Sequence, residues 1–122
     1  MITNFEEITH ELTPTEMELI PIFVSGLQTK IGKGNVVKNA EIISRLKKGL
    51  GITVSEARVR KIINYIRTSN LVPLLVATSS GYYVATDKED VDRYIESLEQ
   101  REREIRRVRE SLKQQLEYSN LK

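Results

Sequence analysis

Apolar residues recur at helical spacing in four stretches of the chain and gather into two short β-rich runs between the third and the fourth. Met17, Ile20, Phe23, Val24 and Leu27 follow Thr13-Pro14, a pair suited to an N-cap and a first helical position. Pro21 stands inside this pattern and removes one internal hydrogen bond, so a kink or a late start is expected there. A second, shorter helix is predicted from about Asn39 to Lys48, with Ile42, Ile43 and Leu46 on its apolar side and Asn39 as its candidate cap. Gly49-Leu50-Gly51 stops it, and Thr53-Val54-Ser55-Glu56 reads as a capping box opening a third helix to about Ser69. There Val59, Ile62, Ile63 and Ile66 stand at i, i+3, i+4 and i+7, which fixes one buried face.

Beyond that helix, Leu74-Leu75-Val76-Ala77-Thr78 and Tyr82-Tyr83-Val84-Ala85-Thr86 flank Ser79-Ser80-Gly81, the pattern of a β-hairpin, with Pro73 at the strand entrance. Asp87 is placed to cap a final helix, in which Val91, Tyr94, Ile95 and Leu98 can pack on the domain before a charge-dense stretch runs to about Tyr118. The fold class expected is mainly α with a small β-hairpin (α+β). Two helices on a short Gly-Leu-Gly-Ile connection, followed by a hairpin, suggest a winged helix-turn-helix with a long C-terminal helical arm. The domain is expected over residues 1–98 and the arm, a coiled-coil dimerisation segment, over 99–122.

Charge sharpens this picture because it is unevenly spread. The net charge is only +2. Residues 1–29 hold five acidic and no basic side chains, whereas residues 30–67 hold ten Lys or Arg against Glu41 and Glu56 alone. A concentrated positive centre of this kind is the electrostatic footprint of phosphate binding. The chain has no cysteine, which excludes disulfides and thiolate metal sites and suits a reducing cytoplasm. No apolar run approaches the roughly 20 residues needed to cross a bilayer, and Met1–Glu7 is acidic where a secretory signal is basic. A soluble cytoplasmic protein without a membrane partner is therefore expected.

The buried face of the third helix decides which side chains point away from it. Ala57, Lys61, Asn64 and Thr68 lie opposite, flanked by Arg58 and Tyr65 on one side and by Arg60 and Arg67 on the other. Arg and Lys suit guanine edges or phosphate, Asn suits adenine, and small Ala57 beside Ser55 lets backbone approach a duplex. Lys38, Lys47 and Lys48, with Lys30, Lys33 and Arg45, are candidates for phosphate contacts that supply affinity without sequence information. This reading requires Lys61 and Asn64 to face outward; it fails if both are covered by the rest of the subunit.

On the last helix Val91, Leu98, Ile105 and Leu112 recur every seven residues, with Tyr94, Arg101, Val108 and Gln115 at the fourth place of each heptad. That is a seam with two polar interruptions, and Leu98, Ile105, Val108, Leu112 and Leu116 are the residues expected to pair with a second copy. Catalytic chemistry finds no foothold. His10 has no partner at metal or acid–base spacing, and Glu6, Glu7, Glu11, Glu16 and Glu18 are scattered carboxylates expected to face water. Gly32-Lys33-Gly34 lacks the spacing and the Lys-Ser/Thr ending of a nucleotide-binding loop and reads as a plain turn. No enzyme activity, cofactor, metal or small-molecule substrate is expected.

The segments Gly32-Lys33-Gly34-Asn35-Val36-Val37, Glu41-Ile42, Arg58 through Arg67, and Gly81-Tyr82-Tyr83-Val84 resemble small winged-helix proteins of phages and mobile elements, over roughly Leu12 to Leu98. The resemblance implies binding of double-stranded DNA, by a transcriptional regulator or an accessory factor in replication or maintenance of such an element. It also implies that Gly81 permits the wing turn, that Tyr82 or Tyr83 packs under the hairpin, and that the wing, with Ser80 and no cation at its tip, adds only slight contacts. The alternative is a winged-helix scaffold that docks other proteins and leaves DNA alone.

Overall fold

The computed structural model describes residues 11–121, so the acidic residues Glu6 and Glu7 and the single histidine, His10, lie outside it. The described chain is mainly helical with one small antiparallel hairpin, an α+β arrangement. It divides into two compact units at Thr86–Asp87. Leu98, at which the sequence reading draws its boundary, lies inside the final helix.

In the first unit, helix α1 (Pro14–Leu27) opens on a complete capping box. The Thr13 hydroxyl accepts from the Glu16 N–H at 3.2 Å while the Glu16 carboxylate accepts from the Thr13 N–H at 2.8 Å. The late start does not occur: α1 begins at Pro14 and carries Pro21 inside it. Helix α2 (Asn39–Leu50) is two residues longer than expected and ends where Gly51 adopts left-handed backbone at φ 66°. There the Gly51 N–H reaches the Lys47 carbonyl and the Ile52 N–H reaches that of Leu46, satisfying acceptors that a helix end leaves orphaned. Helix α3 (Glu56–Thr68) is capped by Ser55 rather than Thr53, the Ser55 hydroxyl accepting from the Arg58 N–H at 3.2 Å. Glu56 thus becomes the first helical residue. It turns to Asn39 Nδ2 at 3.3 Å and to Arg60 at 3.4 Å instead of reaching back to a cap.

Asn39 does not cap α2. Lys38 holds the N-cap position without a side-chain bond, and the Asn39 side chain is used across the fold. It donates to Glu56 and accepts from the Tyr82 hydroxyl at 2.6 Å, tying the starts of α2 and α3 to the hairpin. The hairpin itself is β1 (Leu75–Thr78) and β2 (Gly81–Val84), paired Leu75 to Val84 through Thr78 to Gly81 around an exposed Ser79-Ser80 turn. The link between α1 and α2, read from sequence as a plain turn, lies along the other edge of β2. Gly32 N–H donates to Val84 at 2.8 Å, Val84 N–H to Lys30 at 2.7 Å, and Val37 and Tyr82 exchange both backbone bonds at 2.9 and 2.8 Å. A short 3-10 turn, Lys33–Asn35, lets the chain rejoin the edge.

The core of this unit gathers around α3. Val59, Ile62, Ile63 and Ile66 are fully buried, and Leu19, Phe23 and Leu27 of α1, Leu46 of α2, Val72, Leu75 and Tyr82 close over them. The second unit is one helix, α4 (Lys88–Glu117), whose N-cap Asp87 accepts from the Asp90 N–H at 2.7 Å. At 1.5 Å per residue it is about 45 Å long. Among the described residues no helix is long and apolar enough to cross a membrane.

Gly81 shows how tightly the edge is built. Its φ is 126°, and a Cβ there would lie 2.3 Å from the Val37 carbonyl oxygen, so the residue must be glycine both for its backbone angle and for the close approach of β2 to the Val37 segment. The need arises from that second edge as much as from the turn the resemblance assigned to it. Gly81→Ala is expected to destabilise the unit by about 3 kcal/mol, the sum of left-handed strain and a backbone clash. Chemical denaturation of the two proteins measures the difference.

Candidate nucleic-acid interface

Helix α3 presents its polar side in two flanks set by different neighbours. On the α1 side stands Glu16, only 2 % exposed, with Lys61 Nζ at 2.8 Å and Arg58 Nε at 3.6 Å from its carboxylate. Burial alone would raise this carboxyl, but the Lys61 ammonium and the Thr13 N–H outweigh it and hold Glu16 below the ordinary carboxylate range. On the hairpin side stand Arg60 and Arg67. Burial pushes the Tyr82 phenol up, and the charges of these two arginines oppose the rise.

These contacts redraw the expected outward face. Lys61 was placed opposite the buried stripe by its angle on the helix, yet its side chain folds back to Glu16 and is left 16 % exposed. A four-carbon stem can swing far from the direction of its own Cβ, and a buried carboxylate is a strong reason to do so. Glu16 is correspondingly not the water-facing carboxylate expected. Asn64 is half-buried, so the requirement that both residues face outward is met by neither in full. What remains exposed on α3 is Glu56, Ala57, Arg58, Arg60 and Thr68, with Asn64, Tyr65 and Arg67 partly covered. Arg58 and Arg60 keep about half their side-chain surface, 50 % and 46 %, even with their ion pairs.

The other candidates fall in three places. Lys47 and Lys48 are exposed in the last turn of α2, and Lys47 Nζ reaches the Thr53 hydroxyl at 3.2 Å, two residues before the Ser55 cap of α3. This brings one cation beside the start of α3, where Ser55 and Ala57 are also exposed. Lys38 is exposed at the start of α2, next to the Asn39 junction with Glu56 and Tyr82. Ser80 is exposed at the hairpin tip, its N–H donating to the Thr78 hydroxyl at 3.2 Å. Sequence reasoning missed Glu16 and Asn39 as the residues that orient the site. The first carried a legible signal, since Thr13-Pro14-Thr15-Glu16 is a capping-box spacing; the second carried none, because its partners are 17 and 43 residues away.

Exposed guanidinium groups on the two flanks of one helix, an exposed small residue at its start and lysines at the end of the preceding helix can bind an anionic polymer. Among the described residues no group of His, Asp or Glu gathers in a way that could hold a metal ion. Comparison with family models, with curated protein sequences and with solved structures finds no match for this chain.

The Glu16 cluster fixes Lys61 and holds Arg58, so its pH dependence is a test of the architecture. A carboxyl with a depressed pKa in the folded state stabilises the fold fully above its unfolded value, about 4.3, and loses that contribution as pH falls through the lower folded value. Glu16→Gln is expected to remove this acid-dependent loss and to cost about 2 kcal/mol at pH 7 through the weakened cap and the ion pair. Urea denaturation of both proteins between pH 7 and 2.5 checks both outcomes.

Proposed function

We propose that the unit ending at Thr86 is a winged-helix module that binds double-stranded DNA, with α3 as the helix that enters the major groove. The protein would then act in the cytoplasm as a transcriptional regulator, or as an accessory factor in replication or maintenance, of a phage or other mobile element. One observation carries this reading: complete burial of Val59, Ile62, Ile63 and Ile66 leaves Arg58 and Arg60 exposed on either side of Ala57. The element order supports it. Helix, sheet-edge segment, helix, helix and hairpin follow one another, with the edge segment hydrogen-bonded to the second hairpin strand, as the winged-helix topology requires. The bases would be read by Arg60 and Asn64, with Arg58 and Arg67 flanking, while Lys38, Lys47 and Lys48 meet phosphate. Lys61 acts through Glu16 and shapes the helix face instead of touching bases.

The apolar stripe of α4 completes the proposal. Leu98, Ile105, Val108, Leu112 and Leu116 are 39–58 % exposed, and a second copy of the chain covers them in a homodimer.

A protein-docking role is the second reading, and one feature favours it. Between α1 and α2 an apolar cleft of about 170 Å³ is lined by Ile22, Phe23, Leu27, Ile42, Leu46 and Leu50, and Ile22 and Leu50 are exposed. The readings separate in a titration with random duplex DNA. Five phosphate contacts predict about 500-fold weaker binding at 200 mM than at 50 mM salt; undetectable binding at 50 mM leaves the docking role. Arg60→Ala is expected to weaken a selected site about tenfold with little effect on random duplex, whereas Lys47→Ala with Lys48→Ala weakens both alike.

A further inference from the structure

We infer that two copies of α4 pair antiparallel, in the one register that sets Ile105 of each against Val108 of the other; this rests on the homodimer proposed above. The inference follows from which side chains flank the exposed seam. With Leu98, Ile105 and Leu112 at the first heptad place and Arg101, Val108 and Gln115 at the fourth, the flanking positions are Ile95, Glu102, Arg109 and Leu116 on one side and Ser97, Glu104 and Ser111 on the other. All seven flanking residues belong to one continuous helix, so their spacing is set by 1.5 Å per residue. Ile95 and Leu116 are 48 % and 56 % exposed.

A parallel pair places identical residues opposite each other. Arg101 would face Arg101 of the second copy across the seam, two guanidinium groups pressed together where the seam excludes water. Gln115 would face Gln115, and Ile95 and Leu116 would lie against Asp90 and Ser111 of the second copy. Only the Glu104 and Arg109 flanks would attract.

In the antiparallel register centred between Arg106 and Arg107, every layer changes partner. Arg101 now packs its stem on Leu112 of the second copy, Gln115 on Leu98, and the two Arg101 groups are about 16 Å apart along the axis. On the flanks Glu102 meets Arg109 of the second copy, twice by symmetry, and Ile95 meets Leu116, again twice. Shifting this arrangement by one heptad toward the N-terminus sets Glu102 against Glu102 and Glu104 against Glu104. A shift toward the C-terminus sets Arg109 against Arg109. Thus charge and apolarity are matched in one register alone. Arg109 already holds Glu110 through Nε at 2.8 Å, which leaves the rest of its planar fork to reach across to Glu102.

The chain contains no cysteine, so single introduced thiols report the pairing directly. A disulfide needs Cα atoms within about 7 Å. In the inferred register, Leu98→Cys and Gln115→Cys each lack a thiol within reach in their own homodimers, since the two copies of either position lie about 26 Å apart along the axis. Mixing and re-equilibrating the two full-length variants before mild oxidation is expected to give covalent heterodimers, with each variant alone remaining uncross-linked. Self-linking of Leu98→Cys alone would overturn the orientation while leaving the homodimer in place. A chain that sediments as a monomer, with no link in either case, would overturn both. Charge reversal gives an independent measure. Glu102→Arg and Arg109→Glu are each expected to weaken self-association about tenfold, and the double variant is expected to restore it; lack of restoration counts against the register.

Discussion

Everything in the first unit is arranged around the exclusion of water from one face of α3. Four aliphatic side chains at Val59, Ile62, Ile63 and Ile66 bring little stabilisation unless fully covered, and no single neighbour is wide enough to cover them. Helix α1 contributes Leu19, Phe23 and Leu27, α2 contributes Leu46, and the hairpin contributes Leu75 and the ring of Tyr82. Once these surround the stripe, rotation of α3 about its axis is fixed. The remaining surface of the helix is then determined without any further interaction, and the polar residues standing there become the candidate site.

The covering elements still have to be held in place, and polar groups do that at two junctions on opposite flanks of the stripe. On one flank Glu16 ends the capping box of α1 and receives Lys61 and Arg58 from α3. On the other, Asn39 joins Glu56 of α3 to Tyr82 of β2. The Glu16 carboxylate is nearly withdrawn from water, whereas Asn39 is half-buried and meets an exposed Glu56, and no buried side-chain polar atom among the described residues lacks a partner. A half-satisfied network would cost more than an apolar replacement, so completeness matters here more than the number of bonds. The same junctions draw charge inward: Lys61 is taken from the surface, and Arg60 shares Glu56 with Asn39. Part of the positive centre seen in the sequence is therefore internal, and the cations left for a partner are fewer than the ten between residues 30 and 67.

How much of this could be read from the chain alone depends on the range of the interaction concerned. Local signals carried well: Thr13-Pro14 at the start of α1, Asp87 before α4, the stripe on α3 and the two hairpin strands all act through neighbours within one or two turns. The shift from Thr53 to Ser55 as the cap of α3 reflects a choice between two hydroxyls two residues apart, which a pattern cannot rank. Interactions across the fold carried poorly. The Gly32–Val37 stretch has Gly-Lys-Gly-Asn, good turn chemistry, and its service as a sheet edge depends on β2 arriving 45 residues later. Lys61 failed for a related reason, because the angle of a Cβ on a helix wheel says little about a flexible cation when a buried carboxylate lies within reach.

The two units pose different physical problems, and the chain solves them differently. In the first, apolar residues from three helices, the hairpin and the segments between them converge, and the surface is what is left over. Helix α4 has no such convergence along its second half: Ile105, Val108, Leu112 and Leu116 form a stripe with more than half of each side chain exposed, on a helix whose other faces are dense with charge. Ion pairs three and four residues apart can support such a helix in water, but each contributes only a few tenths of a kcal/mol and does nothing for the stripe. A seam that contains Arg101 and Gln115 cannot be covered economically by a copy in the same direction, since each polar residue would meet itself. Reversing the copy sets each against an aliphatic side chain, and the charges on the flanks then select the register.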